Sequence, residues 1–389
     1  MNEFLKRAME LKDVTIKDRR YLHENAELGV DLPMTTQYII KRLKEIGLEP
    51  KEICKSAVTA TIYGKKTGKT ILLRCDTDAL PMNEDNDLPF RTKTAAAHTC
   101  GHDMHAAMAL TAAQILKENE DKLCGNVKLM FQPGEEIFSG AKPMIEAGIL
   151  ENPKVDVAIG LHTMLDLPAP SLGYCEGNMT SSCDGFKITI KGSGCHGATP
   201  HMGIDPLNAA VHMYLSFQGL IAREAPPMES TSLTLGQLSG GSSPNIIPNE
   251  AVLQGTLRTY NKDVQKHIVK RMHEITDATA AMFNVETKYE ELSSLPSTYT
   301  DPKLLNEMLS YVKNIDDNMV YLPDYKVTPS DDFAFIAENV PTVYFMLGCK
   351  VDGCNVSHHN PQVLFNEDSM VYGVALHCQC AINWLKDNQ

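Results

Sequence analysis

Apolar residues recur at helical spacing in TTQYIIKRLKEIG, residues 35–47, and the closing glycine supplies a stop. A second helical pattern runs from Phe4 to Glu24. Short apolar runs of strand length follow: AVTATIYG (57–64), TILLRCD (70–76), NVKLMFQP (126–133) and VDVAIGLH (155–162). Helical stretches such as AAMALTAAQIL, from Ala106, separate several of them. Strands alternating with helices predict a mostly parallel sheet covered on both faces. In such sheets, chemistry gathers at the carboxyl ends of the strands.

The pattern changes after Gly177. FKITIKG, from Phe186, reads as a strand and DPLNAAVHMYLSFQGLIARE as a helix. TSLTLGQLSGG and AVLQGTLRTY read as two strands, KDVQKHIVKRMHEITDATAAMF as a helix and NVETKYEEL as a strand. The order β-α-β-β-α-β is ferredoxin-like and complete within one segment, which predicts an inserted domain. From Ser297 onward the α/β texture returns: helix LLNEMLSYVKN, strand TVYFMLG and a last helix, MVYGVALHCQCAINWLK. The expected organisation is a first part over residues 1–181, an insert over 182–294 and a second part over 295–389. A chain of 389 residues, 43% hydrophobic and 22% charged, accommodates two such domains.

Charge and cysteine content narrow the classes. The net charge is −13 and no block of lysines or arginines occurs, which argues against nucleic acid or an anionic membrane as partner. The first residues are charged throughout, with no apolar signal core, and no run reaches the length of a membrane span. Eleven cysteines without regular spacing then read as reduced thiols in a cytoplasm.

The candidate chemistry sits at the strand ends. AHTCGHDMHA, residues 97–106, holds Cys100 and His102 one residue apart, with Gly101 letting the backbone bend. Thiolate and imidazole both ligate zinc and similar ions, and a helix starting nearby favours a thiolate. A lone Cys-x-His is most often structural. PGEEIFSGAK carries Glu135 and Glu136 after an apolar strand; adjacent glutamates are most often a solvated turn, but one can ligate while the other acts as base. VDVAIGLH ends in His162, and NVSHHNPQVLF offers His358 and His359. Together one sheet delivers Cys, His, Glu, His and His to one edge, enough for two metal ions with a glutamate to spare. Asp76 and Asp78 end another strand and suit a supporting role. His98, Asp103 and His105 are either ligand-orienting or structural.

With these residues the chain resembles the M20 metallopeptidases, in the branch of N-acyl-amino-acid deacylases, hippurate hydrolases and indole-acetyl-amino-acid hydrolases. The resemblance is nearly end to end. It runs through RRYLHENAELG, RCDTDALPM, AHTCGHDMHAAM, FQPGEE, GLH, GCHGATPHMGIDP, PNIIPNEAVLQGTLRT, SDDFAF and HHNPQVLFNED. It implies a zinc-peptidase-like catalytic domain with a ferredoxin-like lid and dimerisation domain inserted. It implies two divalent ions, zinc or manganese foremost with cobalt or nickel open. Cys100 is similar to the cysteine that bridges the metals, and His102, Glu136, His162 and His359 match the other ligands. Glu135 matches the general base. His196 matches a histidine that reaches a partner's active site in a homodimer, and Asn245 and Arg258 fall in motifs near a substrate carboxylate. The expected reaction is amide hydrolysis of an N-acyl amino acid. The same machinery acting as a dipeptidase or carboxypeptidase is the rival, and a non-catalytic metal-dependent binding protein the more distant one.

Overall fold

The computed structural model describes residues 1–389. The chain divides into two compact units. One comprises Met1–Met179, Thr298–Lys326 and Asp331–Gln389; the other comprises Thr180–Ser297 and Val327–Ser330.

The first unit is built on an eight-stranded sheet. In spatial order its strands are Lys51–Cys54, Ala57–Tyr63, Gly125–Gln132, Lys69–Asp76, Val157–Met164, Thr342–Gly348, Ser171–Gly173 and Val320–Leu322. The middle four run parallel. Their side chains are buried on both faces, which is why TILLRC and TVYFMLG read as continuous apolar runs instead of alternating ones. Helices His102–Glu118 and Met370–Asp387 pack against each other over this core. The alanines at 106, 107, 109, 112 and 113 let the first of them approach closely, at no loss of helix propensity.

The expected helix over 4–24 is two, Glu3–Glu10 and Lys12–Glu24, broken at Leu11, whose backbone leaves helical geometry at φ −96° and ψ 5°. The strands Lys51–Cys54, Ser171–Gly173 and Val320–Leu322 have no counterpart in the apolar pattern. All are edge or near-edge strands of three or four residues, too short to show a period.

Lys128 lies inside the strand Gly125–Gln132 with only 4% of its surface exposed. Its ammonium donates to the carbonyls of Ile149, Glu151 and Pro153 at 2.9, 2.6 and 3.2 Å. The charge is thereby paired with three carbonyls of the segment 149–153. Lys128→Met should destabilise this unit by about 3 kcal/mol, because buried carbonyls lose a charged partner. The check is the urea midpoint, which should fall with an unchanged slope.

The second unit is an antiparallel sheet in the order Thr231–Gly240, Glu250–Thr259, Cys183–Lys191, Glu286–Leu295. This is the ferredoxin-like arrangement. Helices Pro206–Glu224 and Lys262–Phe283 bury Met213, Phe217, Ile268 and Met272 with Phe186, Ile188 and Leu253 of the sheet in one core. No helix of either unit is long and apolar enough to cross a membrane.

Candidate active site

Four segments of the first unit meet at the carboxyl ends of its parallel strands. Asp76 closes the strand Lys69–Asp76, and Asp78 follows it. The loop 133–140, after the strand Gly125–Gln132, carries Glu135 and Glu136. His162 lies near the end of Val157–Met164. Cys100 and Gly101 precede the helix that His102 begins. Gly101 adopts φ +84°, and a Cβ there would stand 2.4 Å from the Thr163 hydroxyl oxygen. Only glycine fits a left-handed turn packed this tightly. That turn aims Cys100 and His102 at one centre.

Their ligating atoms form interlocking groups, each within 4.8 Å: Cys100 with His102 and His162; Cys100 with Glu136 and His359; His102 with Glu135 and Glu136. Cys100 thus belongs to two triads, and its Sγ stands 3.5 Å from His162 Nε2.

Two of the imidazoles, those of His102 and His162, are oriented by carbonyls. His102 Nδ1 donates to the Asp78 carbonyl at 2.9 Å, leaving Nε2 buried with no protein partner. His162 Nδ1 donates to the Thr163 carbonyl at 2.8 Å. His358 Nε2 is spent on the same carbonyl at 3.0 Å, whereas His359 Nε2 lies 3.4 Å from Glu136 Oε2. His359 reaches this position from φ +62°, a strained backbone for a non-glycine residue. Glu136 Oε1 is also buried and unpartnered.

Two orphaned buried atoms beside a thiol, three imidazoles and a carboxylate fit divalent cations, which would satisfy both. Without a cation the acids crowd one another. Burial, then Asp331 and Glu136, pushes the Glu135 carboxyl well above the usual range. Burial, then Glu136 and Glu135, pushes the Cys100 thiol well up. The helix start alone therefore does not make a thiolate here; a bound cation would, by supplying positive charge where the anions converge.

Several neighbours are occupied elsewhere. His105 donates from Nδ1 to Asp76 at 2.6 Å and accepts the Thr163 N–H at Nε2, 2.9 Å away, so it braces the residue beside His162. Asp103 accepts from Arg19 Nε at 2.8 Å and faces His23 Nδ1 at 2.9 Å. Asp78 accepts the N–H of Glu135 on one oxygen and of Glu136 on the other, both at 3.1 Å. Beneath them lies a group that sequence reasoning missed. Arg74, 1% exposed, binds Asp76 at 2.8 Å, Gln132 at 3.0 Å and Asp331 through two nitrogens at 3.1 and 2.9 Å. The charged end of TILLRCD and the paired aspartates of SDDFAF were its only signals.

His196, Asn245 and Arg258 lie in the second unit. His196 pairs across a two-residue ladder with Ile246, and the Gly197 N–H donates to the Asn245 carbonyl at 2.8 Å, so these two residues are neighbours. Arg258 donates to Ser330 Oγ at 2.8 Å.

Residues 72–383 match the model of peptidase family M20/M25/M40. The chain belongs to this family. It is 33% identical over 384 residues to thermostable carboxypeptidase 2 of Saccharolobus solfataricus, covering 96% of each chain. It is 34% identical over 355 residues to the N-acetyl-L-cysteine deacetylase of Bacillus subtilis, covering 91% of this chain and 84% of that one. A crystal structure of a Bacillus subtilis protein described as a dinuclear metal binding peptidase from the M20 family superposes with a TM-score of 0.84. It is 29% identical and covers 97% of this chain and 99% of that one. The M20 chain is accordingly a metal-dependent hydrolase of amide bonds, with residues suited to two divalent ions.

Proposed function

We propose that the enzyme cleaves the amide bond of N-acyl amino acids to a carboxylic acid and a free amino acid. The observation that carries this reading is the pair of ligand triads sharing Cys100, with Glu135 beside them and outside both. Cys100, common to both triads, would be the ligand shared by two ions, and His102, Glu136, His162 and His359 would complete their ligands; zinc or manganese suits this donor set, with cobalt or nickel also fitting. Bound there, such ions acidify water and polarise the amide carbonyl.

Glu135 takes the proton of the attacking water and later delivers it to the leaving nitrogen. A carboxyl with a raised proton affinity suits both halves of that task. His196 of a second copy supports the oxyanion. Asn245 and Arg258 hold the substrate's α-carboxylate, for which a guanidinium fork is the natural partner.

A homodimer through the second unit is consistent with an edge strand, Thr231–Gly240, that has a neighbour on one side only, and with Val211 and Leu215 exposed on the helix Pro206–Glu224. Eleven unpaired cysteines suit the cytoplasm.

The similarity to a carboxypeptidase favours a second reading, in which the same centre cleaves peptides. A non-catalytic binding protein would have little use for Glu135. The test is a panel of N-acetyl amino acids, hippurate and dipeptides, offered to protein stripped by chelator and re-supplied with Zn, Mn, Co or Ni. Activity on N-acyl amino acids that vanishes and returns with metal is expected. Turnover of dipeptides alone would replace the first reading by the second, and none with any substrate would abandon both.

A further inference from the structure

We propose that Asp332 is a positioning residue: it closes the loop 133–140 and thereby sets where Glu135 and Glu136 stand. The inference rests on the reading of Glu135 as base.

The loop is poor at holding itself. Its internal bonds are Phe138 N–H to the Glu135 carbonyl and Ser139 N–H to the Gly134 carbonyl, both 2.8 Å. Gly134 and Phe138 both have positive φ, +68° and +54°, and the second is strained for a bulky residue. Such a backbone persists when its surroundings over-determine it. At its middle, the Asp78 carboxylate does so.

At its ends, Asp332 does. One Asp332 oxygen accepts the N–H of Gly140 at 3.1 Å and of Ala141 at 2.9 Å, where the loop runs into the helix Ala141–Glu146. The other accepts the side-chain amide of Gln132, the last residue before the loop. The two ends touch: a Cβ on Gly140 would stand 1.8 Å from the Pro133 carbonyl oxygen. Asp332 is fully buried. Its neighbour Asp331 is locked by Arg74 and by the Phe333 N–H at 2.7 Å. The buckle is therefore more rigid than the loop it fastens. A carboxyl group that accepts from Gln132, Gly140, Ala141 and, at 3.4 Å, Arg74 is hard to replace, because an amide at the same place points N–H at N–H.

Asp332→Asn is the test, with kcat, KM and Zn²⁺ affinity measured against a chromophoric chelator. A displaced Glu135 should lower kcat by about 100-fold while KM stays within about threefold. A displaced Glu136 should weaken Zn²⁺ about 10- to 100-fold. Lys128→Met serves as the control for lost stability alone, and should keep kcat per folded molecule. Asp332→Asn with kcat and Zn²⁺ affinity near wild type, or reduced only in step with the folded fraction, overturns the proposal. If Asp332→Asn does not fold, Gln132→Met removes one donor to Asp332, together with the acceptor that meets Arg74 Nε at 3.0 Å. About a tenfold loss of kcat at unchanged KM is then expected, and unchanged kcat is the overturning result. Should Glu135 prove not to be the base, Zn²⁺ affinity still reports on the loop.

Discussion

Glu135→Gln should retain both metal ions and lose turnover by about 10⁴-fold, the upper end for general acid–base catalysis, since one carboxylate serves twice. That corresponds to about 5.5 kcal/mol of transition-state stabilisation. The variant should fold at least as well as the parent. Glu135 is buried among Asp331, Glu136 and Asp332, and burial with these anions already raises its proton affinity. Replacing a crowded acid by its neutral isostere relieves that crowding. Metal content, melting temperature and kcat on the best panel substrate make the check. Turnover within tenfold of the parent would remove Glu135 from the base role; lost metal would make it a ligand instead.

Asp78→Ala is expected to have the next largest effect, with a different signature. Its two carboxylate oxygens hold the amides of Glu135 and Glu136. Its carbonyl, which the substitution leaves in place, orients His102. Removing the carboxylate leaves two buried N–H groups unpaired at a cost of about 1–3 kcal/mol each. Both glutamates should drift, so kcat and metal affinity fall together, each by about 100-fold. Paired titrations of metal content and turnover across added Zn²⁺ separate the two variants. Excess metal should restore part of the activity of Asp78→Ala and none of that of Glu135→Gln. Normal metal content and normal kcat in Asp78→Ala would mean that water substitutes for the carboxylate.

The elements most legible in the sequence were those whose burial is uniform along their length. Thr342–Gly348 and Lys69–Asp76 read as apolar runs because helices cover both faces. The helix Lys262–Phe283 coincides with the segment KDVQKHIVKRMHEITDATAAMF, and in the structure Asn261 caps it. The ligand candidates were legible because strands that share a sheet end at one edge. What held them was not. Arg74 meets Asp331 across 257 positions of chain, and no local pattern encodes a partner that far away. His105 reads identically to a ligand until its two nitrogens are seen to be spent on Asp76 and Thr163. His358 and His359 are likewise indistinguishable in the sequence, whereas in the structure His358 Nε2 meets the Thr163 carbonyl and His359 Nε2 faces Glu136.

The order of the strands also has a consequence during synthesis. Val157–Met164 sits at the middle of the sheet, yet its neighbour on one side, Thr342–Gly348, is made nearly two hundred residues later. The second unit, apart from Val327–Ser330, is contiguous and can fold on the ribosome while the first still waits. Until the last segment emerges, an apolar strand edge stands open and Cys100 lacks the partnership of His359. A nascent chain halted there is no slow enzyme; it is a sticky intermediate and a natural client for a chaperone.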